Sequence, residues 1–350
     1  MKTFLTIVFG ALLLLAASCS SSVSTISVDV MYPSAVTFPK SVSGLLVVDN
    51  AGEVEADKNH YFVDANRRRY RLSLEPADSL SSIFSETVAG AFASAHYFPE
   101  VRIFDNAVQG RNSSSDLFPI SEQDSLREGD PDRLILSIDS VYIQSQMQDR
   151  LETGEDMSYY RSTLDVSAGA LVRLYVPGHS RPESFWANDS IFWEEMELTA
   201  EAAHSLLPSY YDAFMSALGS LSLRVVSMLT PHIETENRYL YETSHPAMQD
   251  AMSYWNSGKY EDASFLWEYM YEKSKKESAR ARAAANLSVY YELNDDFPQA
   301  IKWCEESLRL FGTDPEENEI YILTLEHALR MLNLRRENAD LLQKQIGRYR

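Results

Sequence analysis

Cysteine is scarce in this chain. The 350 residues hold two, Cys19 and Cys304, and two cysteines cannot make a disulfide framework. Paired histidines are also missing. The seven histidines are scattered, and no two stand four residues apart, which excludes the helix-borne zinc peptidase motif. There is no Gly-x-Ser-x-Gly elbow and no glycine-rich phosphate loop. No residue pattern calls for a metal or a cofactor. Positive charge is outnumbered: 31 Lys and Arg stand against 51 Asp and Glu, a net charge of −20. Such a surface repels nucleic acid phosphates, and anionic lipid does not attract it. Solubility alone accounts for an acidic balance of this size.

What is present starts at the first residues. Lys2 is followed by an unbroken apolar and small run, Phe4 to Leu15, then Ala16, Ala17, Ser18 and Cys19. Twelve residues are too few to span ~30 Å of hydrocarbon as a helix. They suit the core of a signal peptide with a small-residue cleavage site. Leu15-Ala16-Ala17-Ser18-Cys19 resembles the bacterial lipobox. That resemblance implies a signal peptide over residues 1–18, lipid on Cys19 and a membrane anchor, each buried CH₂ of acyl chain adding ~0.8 kcal/mol. Removing residues 1–18 takes away Lys2 and leaves 332 residues with 30 basic against 51 acidic side chains, a net −21. That length suggests two domains. Residues 19–25 read as a lipidated polar tether. No acidic run follows Cys19, so the expected location is the outer membrane with the protein facing the periplasm.

Residues 26–240 read as an α/β domain. Ile26, Val28 and Val30 alternate with polar residues, and Leu45 to Asp49 is a short buried strand. Leu80, Ile83, Phe84, Val88, Ala91 and Ala95 recur at helical spacing from about Asp78 to His96. A strand follows at 101–104. Residues 106–132 read as loop with room for one short helix. The clearest strand is Leu134 to Val141. A hairpin is expected from 164–176 and 184–197, then a helix from Pro208 to Leu229 that ends at Thr230-Pro231. The order of elements resembles the small α/β domain of periplasmic lipoproteins in the curli-secretion and penicillin-binding-protein-activator group. That likeness implies that the strand at 134–141 pairs beside the strand at 45–49.

From Pro246 glycine nearly vanishes, and two segments align at an offset of 37 residues. Tyr254, Gly258-Lys259-Tyr260, Ala263 and Trp267 match Tyr291, Asp295-Asp296-Phe297, Ala300 and Cys304. This resembles the tetratricopeptide repeat, with a usual period of ~34. The expected fold is an N-terminal α/β sandwich-like domain followed by an all-α, tetratricopeptide-like helical array over 245–347. A third helix pair, Ile320 to Asn333 and Arg336 to Gly347, is expected as a cap. The whole layout also resembles an uncharacterised family of Bacteroidota lipoproteins, on the segment Ser27-Val28-Asp29-Val30-Met31-Tyr32-Pro33-Ser34-Ala35 and the closing Leu229-Thr230-Pro231.

Few residues offer chemistry. Cys304 falls where a repeat buries its second helix, so a structural thiol is expected rather than a nucleophile. Glu194, Glu195 and Glu197 read as a solvated strand edge rather than paired catalytic carboxylates. Arg335, Arg336, Lys344, Arg348 and Arg350 read as a solvated basic helix end. The tetratricopeptide resemblance puts Met248, Met252, Trp255, Arg282, Ala285 and Val289 on the inner face of the array. Those residues are expected to bind an apolar partner segment or to pack on the chain's own α/β domain. The expected function is a protein-interaction or assembly scaffold for an unknown envelope protein. The alternative is a hydrolase-like envelope enzyme, which a polar cluster at the strand ends of the α/β domain would favour.

Overall fold

The computed structural model describes residues 23–51, 59–72, 80–104, 117–154 and 157–347. The expected signal peptide and Cys19 lie outside the described residues. In chain order the elements are β1 (Val23–Tyr32), β2 (Gly44–Asp49), β3 (His60–Val63), β4 (Arg69–Arg71), α1 (Leu80–Ala95), β5 (Val101–Phe104) and α2 (Ile120–Leu126). Then come β6 (Arg133–Thr153), β7 (Ser158–Tyr175), β8 (Glu183–Glu197), α3 (Ala200–Leu206), α4 (Tyr210–Leu229) and β9 (His232–Tyr241). The last five are α5 (Pro246–Asn256), α6 (Tyr260–Lys273), α7 (Glu277–Leu293), α8 (Phe297–Phe311) and α9 (Glu319–Ile346). A mixed sheet-and-helix region is thus followed by an all-helical one, the fold class expected from the sequence.

The compact units divide the chain at other points than the sequence boundary near 240. One unit is residues 34–230; the other joins the N-terminal strand to everything from Pro231 onward. The α/β unit is therefore an insertion between β1 and β9. Those two strands pair antiparallel along their whole length, from Val23 opposite Tyr241 to Tyr32 opposite His232. The ordered strand begins at Val23, which shortens the expected tether because Val23, Ser24 and Thr25 already sit in this ribbon.

In the inserted unit β6 is the organising strand. Its first residues lie parallel to β2, Leu134 beside Leu45, as the strand order implied. Its later residues lie parallel to β3, Tyr61 beside Gln146. Along its other edge it pairs with β7, and β7 with β8. Between Ile138 and Ser140 the register shifts by one residue, a bulge at the point where β6 changes partner. Alternate residues of β7, Leu164, Val166, Ala168, Ala170 and Val172, point into one core with Phe84, Val88 and Phe92 of α1 and Leu218, Leu221 and Val225 of α4. Helix α4 is long and apolar enough to cross a membrane by composition, but the face bearing those residues is packed on the sheet. Ser209 caps it, its side chain accepting from the Asp212 amide.

The helical unit shows why the 37-residue offset exists. Helices α5 and α6 turn at Ser257 to Lys259, and α7 and α8 turn at Asn294 to Asp296. Gly258 and Asp295 occupy the same repeat position, and both are left-handed, with φ of 76° and 55°. In each turn the residue after them donates its amide five residues back, Lys259 to Tyr254 O at 2.9 Å and Asp296 to Tyr291 O at 3.0 Å. This is the hydrogen bond of a Schellman stop. Ala263 and Ala300, also equivalent, are fully buried. The third pair expected at 320–347 does not form. Helix α9 runs unbroken through Leu334-Arg335-Arg336-Glu337, a run of good helix formers with no residue suited to a left-handed turn.

Candidate functional site

The inner face of the helical unit carries the residues singled out by the repeat resemblance. Met248 and Met252 on α5 are buried, with Trp255 and, on α7, Val289. Their cluster includes Leu240 of β9, and Ile26 of β1 packs against it. Ala285 is buried beside Tyr241. Arg282 is half-buried. It donates to the Ser278 carbonyl and to the Tyr321 hydroxyl, and its guanidinium lies over the Tyr321 ring. An open groove at Met248, Met252, Trp255 and Val289 is thus not what the fold presents. The chain's own ribbon covers that face. Alternation explains it: on β9 the residues that turn inward are Arg238 and Leu240, with Tyr241 at the strand's end, while Asn237 and Tyr239 stay outside.

The ribbon is held by polar bonds that the sequence reading missed. Asn286 of α7 accepts from the Tyr241 amide at 2.8 Å and donates to the Tyr241 carbonyl at 2.9 Å. A single buried amide therefore satisfies both backbone groups of one residue in an extended strand, the way a groove holds a peptide. Nearby, Arg238 meets Glu292 of α7 through two bonds of 2.8 and 2.7 Å. Arg335 of α9 reaches the same carboxylate at 2.6 Å. The Glu292 side chain is 3% exposed, so this bidentate pair plus a second guanidinium links ribbon, inner helix and last helix in low dielectric. Burial by itself lowers the pKa of Arg238, and the carboxylates of Glu292 and Glu236 more than reverse this, so the guanidinium is held charged. Asn286 is not among the residues that the repeat resemblance singles out. The usable signal was an amide in the middle of Ala283-Ala284-Ala285-Asn286-Leu287, a stretch too apolar to face water.

Beyond the end of the ribbon the inner face opens. A groove of about 930 Å³ lies between the last residues of β1, the α7–α8 turn and the second half of α9. Met31, Tyr32 and Pro33 form one wall. Phe297, Leu342 and Ile346 also line it, with the polar Asn338 and Gln343, the carboxylates of Asp29 and Asp295, and Arg335, which bonds to Asp295 at 3.4 Å. Helix length accounts for it. At ~1.5 Å per residue, the 28 residues of α9 outreach the 17 of α7 by roughly 16 Å, so the overhang has no inner helix beside it.

Cys304 is fully buried, as its repeat position implied, and its thiol lies 3.4 Å from the Leu325 carbonyl. Burial pushes its pKa up to about 12, which keeps the thiol protonated and unreactive. Glu194, Glu195 and Glu197 lie on β8, and Glu194 pairs with Arg161.

In the inserted unit, polar groups do gather where β2 ends. The bulge turns Asp139 into the interior, where Arg173 meets it at 2.6 Å and Asn50 donates to it at 2.9 Å; Ser137 bonds to it as well. Asp49 next door accepts from Ser81 at 2.9 Å, and burial raises its pKa. These groups spend their hydrogen bonds on one another, which suits a bulge held in place. Among the described residues, no group of three or more His, Cys, Asp and Glu could hold a metal ion.

The fold and the site define a two-unit protein: a sheet domain inserted in a strand ribbon that closes a helical array. The chain belongs to the family described as a domain of unknown function (DUF8603), matched over residues 42–241. A second domain of unknown function (DUF6340) matches residues 249–330. No curated protein matches the chain. Among solved structures, a Helicobacter pylori protein described as a homolog of neuraminyllactose-binding hemagglutinin is similar at a TM-score of 0.27 and 12% identity, over 56% of this chain and 85% of that one. At that score the likeness carries no inference about this chain.

Proposed function

We propose that the protein is a lipid-anchored lipoprotein of the Bacteroidota cell envelope. In this reading it is held to the outer membrane through Cys19, faces the periplasm, and serves as a protein-interaction or assembly scaffold. The helical unit, of tetratricopeptide kind, is the interaction module. The observation that carries the module is the repeated stop, Gly258 and Asp295 left-handed at equivalent positions with the same amide bond behind each. Repeats of this kind serve as binding surfaces far more often than as catalytic centres. The polar cluster around Asp139 supports the same side, since it is internally paired. Between Cys19 and Val23 stand only three serines, so four Cα steps of at most ~3.6 Å each keep the ribbon within about 15 Å of the lipid. In this reading the tether joins the lipid directly to the ribbon of the helical unit.

The anchor is tested by replacing Cys19 with Ala and fractionating cells. Release into the soluble fraction, with acyl chains found on wild-type Cys19 by mass spectrometry, is expected. Membrane retention of Cys19→Ala, with no lipid on the wild type, contradicts the anchor. The scaffold is tested by crosslinking in intact cells. One envelope protein recovered at constant stoichiometry is expected, and recovery of the monomer alone contradicts it.

A further inference from the structure

We infer that the groove at the end of the ribbon takes an extended segment of a partner protein, added as a third strand to β1 and carrying a basic residue between apolar ones. The inference rests on the scaffold reading and names the kind of partner. Three observations carry it. First, β1 pairs with β9 along one edge, and no strand pairs with its other edge among the described residues. Its last residues border the groove, so unpaired backbone donors and acceptors stand along one wall, the template that an added strand uses. Second, the helix side of the groove carries apolar side chains beside the polar Asn338 and Gln343. Phe297, Leu342 and Ile346 line the groove together with Met31, which is 40% exposed on the ribbon. A strand laid on β1 places every second side chain against such a wall. Third, charge selects the segment. Arg335 is bound by Glu292 at 2.6 Å and reaches Asp295 more loosely, at 3.4 Å, and Asp29 accepts from the Thr235 hydroxyl; both carboxylates are still exposed to solvent, on a chain with net charge −20. A cationic side chain at an intervening position of the segment meets both the local carboxylates and the overall field. The array's own use of its inner face points the same way, because there too an extended strand is what it holds, at Tyr241.

The test uses the full chain in detergent and random twelve-residue peptides displayed on phage. Enriched peptides are expected to alternate apolar residues with Lys or Arg. A synthetic peptide of the enriched sequence should bind at least tenfold more weakly to Ile346→Glu, at an already exposed site, and to Asp29→Lys. Methylating the peptide's backbone amides one at a time should weaken binding at every second position, because only alternate amides face β1. Exchanging the basic residue for Glu should restore affinity for Asp29→Lys. Several results overturn the inference: no enrichment, binding indifferent to both substitutions, or methylation effects without a period of two, as a docked helix gives. A concentration-dependent dimer that disappears in Ile346→Glu also overturns it, since the groove then belongs to a second copy. If the groove fails while an envelope protein still crosslinks equally to wild type and Ile346→Glu, the scaffold stands and its surface lies elsewhere. If the Cys19 test also fails, the scaffold reading falls with it.

Discussion

Single side chains carry the joins of this molecule. Asn286→Ala removes one amide and leaves the N–H and C=O of Tyr241 buried without partners. Each such group costs on the order of 1–3 kcal/mol, so chemical denaturation should show a loss of about 2–5 kcal/mol from the helical unit. Glu292→Gln leaves Arg238 and Arg335 without their shared charge, and breaking a buried pair costs about 3–5 kcal/mol. Cys304 should react with a thiol reagent slowly in the native protein and quickly when unfolded, since its pKa is raised to about 12. Cys304→Ser should cost ~1–3 kcal/mol, because the shorter hydroxyl leaves a gap in the packed core and reaches the Leu325 carbonyl less well than the thiol does. A further test is pH. Glu306 accepts from Arg309 and Tyr271, and the Arg309 bonds above all lower its pKa from 4.5 to about 2. A carboxylate depressed on folding stabilises above its unfolded pKa and loses that contribution as pH falls through its folded one. The difference in melting temperature between wild type and Glu306→Gln should therefore be full above about pH 4.5 and shrink toward zero near pH 2. A difference that stays constant across that range contradicts the assignment.

At the scale of elements, periodicity made most of the inserted unit legible. The helix at Leu80–Ala95, the hairpin of β7 and β8 and the helix at Tyr210–Leu229 follow from apolar residues at spacings of three to four or of two. The turns at Gly258 and Asp295 followed from the internal alignment. What the pattern hid has a physical cause in each case. Strand β9 reads His-Ile-Glu-Thr-Glu-Asn-Arg-Tyr-Leu-Tyr, and its inward Arg238 looks polar because its partner, Glu292, lies 54 residues away. Its pairing partner β1 is some 200 residues away, and no local pattern reports such a pairing. The repeat marks the inner face of the array but not whether that face stands open, because what covers it comes from the other end of the chain. The covering makes Met248→Glu a sharp test. An open groove would keep the new carboxylate hydrated at little cost. Under the ribbon it is an unpaired charge among Leu240, Trp267 and Leu287, and the melting curve should record a loss on the order of 3–5 kcal/mol. A variant as stable as wild type contradicts the covered face.

Across the whole molecule the consequence is an uncommon order of assembly. Strand β1, the first among the described residues, cannot complete its unit until β9 and the helices exist, so the helical unit depends on chain some 200 residues upstream. The inserted unit, residues 34–230, has its own core and does not share that dependence. In the proposed lipoprotein the same strand follows the lipidated cysteine, which couples the anchor mechanically to the helical array. The most direct measurement is native-state hydrogen exchange of the full chain, read by mass spectrometry on wild type and Asn286→Ala. Amides of β1 and β9 should open with the free energy of α7, and Asn286→Ala should lower all three together while β2 and β6 keep their protection. If β1 and β9 instead exchange with β2 and β6, or lose protection alone while α7 keeps its own, the ribbon is not part of the helical unit and the account is wrong.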